Sequence, residues 1–152
     1  KKEKKIIVFL NPDSRMIDTE IKRIEEVVTF FLNKNYNVLI KNHPVHEGIV
    51  GRDLCELFGI SPIERNVDTS LLLSIEKPEF TISFLSTTIC QSLDAGIIPI
   101  CISEREKSNR DLLGSPYPMR RRAFFWKEEF LEVEKLFEGD DYSKALNKLR
   151  SR

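Results

Sequence analysis

Neither sign of charge is in excess in this chain of 152 residues. Its 24 Lys and Arg balance 24 Asp and Glu, so no global field draws it to nucleic acid, and no nucleic-acid partner is expected. No apolar run approaches the ~20 residues that span a bilayer, and no secretory leader is visible. The three cysteines, Cys55, Cys90 and Cys101, are odd in number, widely spaced and set among apolar neighbours. That pattern fits buried free thiols in a reducing compartment better than a disulfide framework and lacks the close ligand spacing of a zinc site, so a cytoplasmic location is expected.

Several catalytic signatures are missing as well. No G-x-G-x-x-G follows the first apolar run, no G-x-x-x-x-G-K-[ST] occurs, and no G-x-S-x-G elbow is found. These absences set aside the dinucleotide fingerprint, the P-loop and the α/β-hydrolase nucleophile. A phosphoryl-receiver site is disfavoured too, because Asp13 is the only acid just after the first run and the run "FTISFL" leads into Ser86 rather than Asp. No Asp-x-Asp pair offers to hold a metal, and no metal site is expected.

What is present reads as one globular domain, with 41% hydrophobic and 32% charged residues. "KKIIVFLN" (4–11) is a continuous apolar run closed by Asn-Pro-Asp, as in a strand buried on both faces. Asp18 or Thr19 is expected to cap a helix reaching Asn33, because Ile21, Ile24, Val27, Val28, Phe31 and Leu32 recur at helical spacing. "YNVLIKN" (36–42) predicts a second strand, and "GRDLCELFG" (51–59) a short helix ended by Gly59. Pro62–Val67 carries no clear pattern. Asp68 is expected to cap a helix that Pro78 stops. "FTISFL" (80–85) and "IIPICIS" (97–103) predict two more strands, with a helix over "STTICQSLDAG" between them.

Residues 105–118 read as a loop with one helical turn, and "KEEFLEVEKLFEG" and "YSKALNKLR" as terminal amphipathic helices. Phe130, Val133, Leu136 and Phe137 form an apolar stripe just after Trp126, expected to pack on the domain's own sheet, the alternative being a helix that crosses to another lobe and leaves the stripe exposed. The basic runs "KKEKK" and "MRRR" read as solvated faces. Strands alternating with helices predict an α/β, Rossmann-like three-layer sandwich with a mostly parallel sheet. Its functional edge is then expected at the C-terminal ends of the strands.

Three polar loops fall at that edge: Asn11-Pro12-Asp13-Ser14, Asn42-His43-Pro44 and Ser86-Thr87-Thr88. Hydroxyls and backbone N–H groups at such a place suit an anion, phosphate above all, although Ser86 would serve equally as an ordinary helix cap. Only two histidines occur, and both lie together, His43 and His46. A ring at a strand end can donate to a phosphate oxygen, and Pro44 biases His43 toward extended backbone. An ordinary solvent-facing loop histidine is the competing reading.

These residues carry a family resemblance. "VLIKNHP", followed by "KPEFTISFLSTTICQSLDAGIIPICIS", resembles the C-terminal half of a GT-B glycosyltransferase over residues 5–103. It is most similar to bacterial sialyltransferases and polysialyltransferases, with their His-Pro and Ser/Thr motifs. Capsule polysaccharide transferases and CDP-glycerol glycerophosphotransferases share a related K-x-HP pattern and a serine-rich loop before an A-x-G-x-P segment. The matching residues are His43-Pro44, Ser86-Thr87 and the Ala95–Pro99 segment.

The resemblance implies that His43, Ser86 and Thr87 contact a nucleotide-sugar donor at its phosphate, CMP-sialic acid or a related CMP sugar, with no further cofactor. Taken with the three loops, the candidate donor-binding residues are Asn11, Asp13, Ser14, Asn42, His43, Pro44, Ser86, Thr87 and Thr88, and His43 is also the candidate catalytic acid. These families keep a catalytic carboxylate in an N-terminal lobe. No Asp/Glu-Asp-Gly motif occurs here, since "EGDD" (138–141) is in the wrong place and order. Lys1–Arg152 is therefore expected to be the donor half of a longer enzyme, without the acceptor lobe and inactive alone, as the start without Met also suggests. The product would be a surface polysaccharide or lipooligosaccharide, made in the cytoplasm with peripheral contact to the inner membrane. Three alternatives stand beside this: a capsule or teichoic-acid type transferase with a UDP or CDP donor, a non-catalytic α/β binding module, and a sugar-nucleotide epimerase of related fold.

Overall fold

The computed structural model describes residues 3–43, 48–63, 66–103 and 122–152. Six strands form one parallel sheet: β1 (Glu3–Phe9), β2 (Asn37–Lys41), β3 (Pro62–Ile63), β4 (Pro78–Ser83), β5 (Ile98–Cys101) and β6 (Phe124–Phe125), in the order β3-β2-β1-β4-β5-β6. Among the described residues six α-helices accompany them: α1 (Asp18–Asn33), α2 (Ile49–Phe58), α3 (Thr69–Glu76), α4 (Thr88–Asp94), α5 (Phe130–Phe137) and α6 (Tyr142–Arg150). The α/β sandwich read from the sequence is the fold of the chain.

Alternation along β1 divides its side chains between two apolar layers. Ile6 and Val8 join Ile24, Val27 and Phe31 of α1, whereas Ile7 and Phe9 join Leu72 and Leu73 of α3. A strand clad on both sides needs a continuous apolar run, and Ile6–Val8 are all 0% exposed. The chain steps outward from β1 to β2 and β3, then returns to place β4 on the other flank of β1. Right-handed crossovers in opposite directions put their helices on opposite faces, which opens a crevice between β1 and β4 above the strands' C-terminal ends.

Most element ends follow the expected punctuation. Asp68 accepts from Leu71 N–H at 3.0 Å to cap α3, and Gly59 closes α2 at a left-handed φ of 67°. Helix α1 differs: it starts at Asp18, so Ile17 holds the cap position and neither Asp18 nor Thr19 does. Glu20 supplies the missing partner, its Oε1 accepting from Ile17 N–H at 3.2 Å. Strands β3 and β6 escape the sequence reading because two residues carry no period. The expected loop and helical turn over 105–118 lie outside the described residues.

The terminal stripe packs locally, as expected. Val133 is 0% exposed, Phe130, Leu136 and Phe137 lie against the main core, and Trp126 meets Phe130 edge to face at 4.8 Å. Cys55 and Cys101 are buried free thiols, whereas Cys90 is only half-buried. Burial pushes the Cys101 thiol up to about 12, so it is inert at neutral pH. Among the described residues no helix is long and apolar enough to cross a membrane.

Candidate functional site

A cavity of about 800 Å³ occupies the crevice where the strand order reverses. Its floor is the outgoing end of β1 at Phe9–Asn11, and its walls come from Lys41–His43 at the end of β2 and Phe84–Thr88 after β4. The strands hold these loops in register: Leu10 N–H donates to Lys41 O at 2.9 Å, and Leu85 N–H donates to Ser103 Oγ at 3.3 Å. The geometry thus brings together Asn11, Asn42, His43, Ser86, Thr87 and Thr88, six of the residues singled out from the sequence.

The remaining three fall otherwise. Asp13 and Ser14 are not among the residues that line the cavity. Asp13 sits in the short 3-10 turn Asp13–Arg15 and its Oδ2 accepts from Ile49 N–H at 2.8 Å, which ties that turn to the start of α2. Ser14 is exposed. Pro44 lies outside the described residues, as does His46.

Local chemistry explains how the polar residues are held. Ser86 Oγ accepts from Thr88 N–H at 3.3 Å, so it does serve as a turn cap, while its own proton stays available to a ligand. Thr88 is 8% exposed, and its carbonyl accepts from Ser92 Oγ at 2.7 Å. Thr87 is exposed at the mouth. Asn42 leans on α2 where two glycines make room for it. A Cβ on Gly51 would fall 2.0 Å from Asn42 Oδ1, and one on Gly48 would fall 2.9 Å from the same atom.

Sequence reasoning missed the charged groups of the site. Lys41 is only 4% exposed, yet it lines the cavity from the last position of β2. Burial pulls its ammonium below the ordinary 10.5, and the nearby Asp68 carboxylate works against that drop. Arg15 reaches the cavity from the exposed turn, and Glu20 lines it while only 7% exposed. A lysine closing a run of strand residues was the legible signal for Lys41. Nothing in the spacing of Glu20 distinguishes it from the solvated acids of α1.

The site therefore combines two cations, a histidine, several hydroxyls and amides, and one buried carboxylate. Such a set suits an anionic ligand that also carries polar groups. Among the described residues no group of three His, Cys, Asp or Glu gathers to hold a metal ion. No protein-family model matches the chain, and no curated protein matches it either.

Proposed function

We propose that this chain binds the donor of a glycosyltransferase as the C-terminal half of a GT-B enzyme, gripping the phosphate of a nucleotide sugar, CMP-sialic acid foremost. The observation that carries the reading is the convergence of Asn42-His43 and Ser86-Thr87-Thr88 on one polar cavity at the switch point of the sheet, joined there by Arg15 and Lys41. Sugar transfer leaves a phosphate that gains negative charge. Fixed donors aimed at it stabilise the transition state more than the ground state. In this reading His43 donates a hydrogen bond, and then a proton, to the departing phosphate. The acceptor and the general base belong to a partner lobe, and the work is done in the cytoplasm at the inner membrane surface.

One observation favours a second reading within the same class. Lys41 belongs to the stretch that matches K-x-HP, and it lines the cavity beside His43. A buried ammonium and the Arg15 guanidinium lining one cavity suit a diphosphate, so a capsule or teichoic-acid type enzyme with a UDP or CDP donor is the runner-up.

Titration of CMP, CDP and UDP, followed by amide shifts, tests both readings. The expected shifts centre on Asn11, Asn42, His43 and Ser86–Thr88, and a preference for the diphosphates selects the second reading. His43→Ala is expected to weaken binding about 10- to 150-fold, the loss of one hydrogen bond to a charged group. Shifts confined to the opposite sheet edge, around Glu79 and Tyr142, would refute the site, and an unweakened His43→Ala would return His43 to the ordinary loop residues.

A further inference from the structure

Glu20 is the one carboxylate among the described residues that line the cavity. It is 7% exposed, it lines the cavity, and only its Oε1 is engaged, by Ile17 N–H at 3.2 Å. Oε2 has no hydrogen bond among the described residues, and it is not one of the oxygens sealed from solvent, as Asp13 Oδ1 is. No ion pair joins Glu20 to Arg15 in the described structure, although both line the same cavity. A carboxylate accepts hydrogen bonds and donates none, and next to a phosphate it is repulsive. Oε1 completes the start of α1, and that role leaves Oε2 open to a hydrogen-bond donor carried by the ligand.

We infer that Glu20 recognises hydroxyl groups carried by the same ligand as the phosphate, so that the cavity selects a phosphorylated polyol over a bare anion. This rests on the anion-binding reading of the cavity given above. The backbone bond from Ile17 locks the first carboxylate oxygen, and α1 begins at that point, so the second oxygen is held without a loss of side-chain freedom on binding. An ionised acceptor roughly doubles the strength of a hydroxyl hydrogen bond. Two sources supply such hydroxyls, the ribose of a nucleotide and the polyol being transferred.

The test compares four probes on the whole chain and on Glu20→Gln by calorimetry: CMP, 2′,3′-dideoxy-CMP, glycerol 3-phosphate and orthophosphate. Gln keeps an acceptor for Ile17 N–H and removes the charge. The variant is expected to lose about tenfold in affinity for a hydroxyl-bearing phosphate and to bind orthophosphate at least as tightly as before. A loss seen with CMP and absent with its dideoxy form assigns the hydroxyls to the ribose, whereas a loss seen only with glycerol 3-phosphate assigns them to the transferred group. The unmodified chain then provides its own control: the hydroxyl-bearing probe should bind about tenfold tighter than its counterpart without hydroxyls. Equal changes for all four probes, or no change, overturn the role of Glu20 and leave the anion site standing. Failure of both CMP and orthophosphate to bind the unmodified chain overturns the anion site itself, and this inference with it.

Discussion

Lys41→Met is expected to weaken nucleotide binding about 10- to 150-fold and to leave the melting temperature at neutral pH equal to or above that of the unmodified chain. The two effects run in opposite directions for one reason. Lys41 is 4% exposed, and burial disfavours its charged form, so its folded-state value lies below the ordinary 10.5 despite the nearby Asp68. Between the lowered value and 10.5 the unfolded chain holds the proton more tightly than the folded one. Stability therefore rises with pH across that window, and below it the folded state bears the full cost of the buried charge. Methionine removes that cost and keeps the length of the chain.

An anion in the cavity reverses the balance by favouring the ammonium. Affinity in the unmodified chain should thus fall as pH rises through the lowered Lys41 value, earlier than an ordinary lysine would allow, and Lys41→Met should lack that decline. Calorimetric titrations of CDP from pH 7 upward, with melting curves at each pH, measure both trends. An unweakened variant, or one that melts well below the unmodified chain, would make Lys41 a structural residue and no ligand contact.

Phe31→Ala is expected to cost about 3–5 kcal/mol of stability, which lowers the melting temperature by about 6–20 °C in a domain of this size. Phe31 is 0% exposed and is surrounded by rings, with centroids of Phe80 and Tyr36 at 5.2 Å, Phe30 at 5.3 Å and Phe137 at 5.8 Å. The cluster joins the end of α1, the start of β4 and the end of α5, away from the cavity, so the surviving folded protein should bind nucleotide as before. Phe30→Ala should cost less, since its ring is only half-buried. Urea unfolding of both variants decides the matter, and a cost near 1 kcal/mol for Phe31→Ala would mean that the rings repack around the void.

Elements that carry a period or a stop were legible before the fold was known. The run Ile6–Phe9, the helical spacing from Ile24 to Phe31, the cap at Asp68 and the left-handed close at Gly59 each record a local preference of the backbone or a face turned to the core. Those preferences act within one or two turns of chain, and together they sufficed for the α/β class. The same local reading placed Asn11, Asn42, His43 and Ser86–Thr88 at the ends of strands, which is where they line the cavity.

The strand order, the short strands β3 and β6, and the charged lining of the cavity were decided only in three dimensions. Which flank of β1 receives β4 depends on how the crossovers bury their helices, and no residue of β1 records that choice. Asp13 looked like a cavity residue from its loop, but the turn spends its carboxylate on Ile49 N–H. Lys41 and Glu20 stand at a strand end and a helix start with nothing in the sequence to single them out as buried charges, and packing between distant segments brings both to one cavity while withdrawing them from water. Sequence determines where the chain turns and which face is apolar, because those are short-range matters. Burial of a charge is a long-range matter, settled by what the fold places around it.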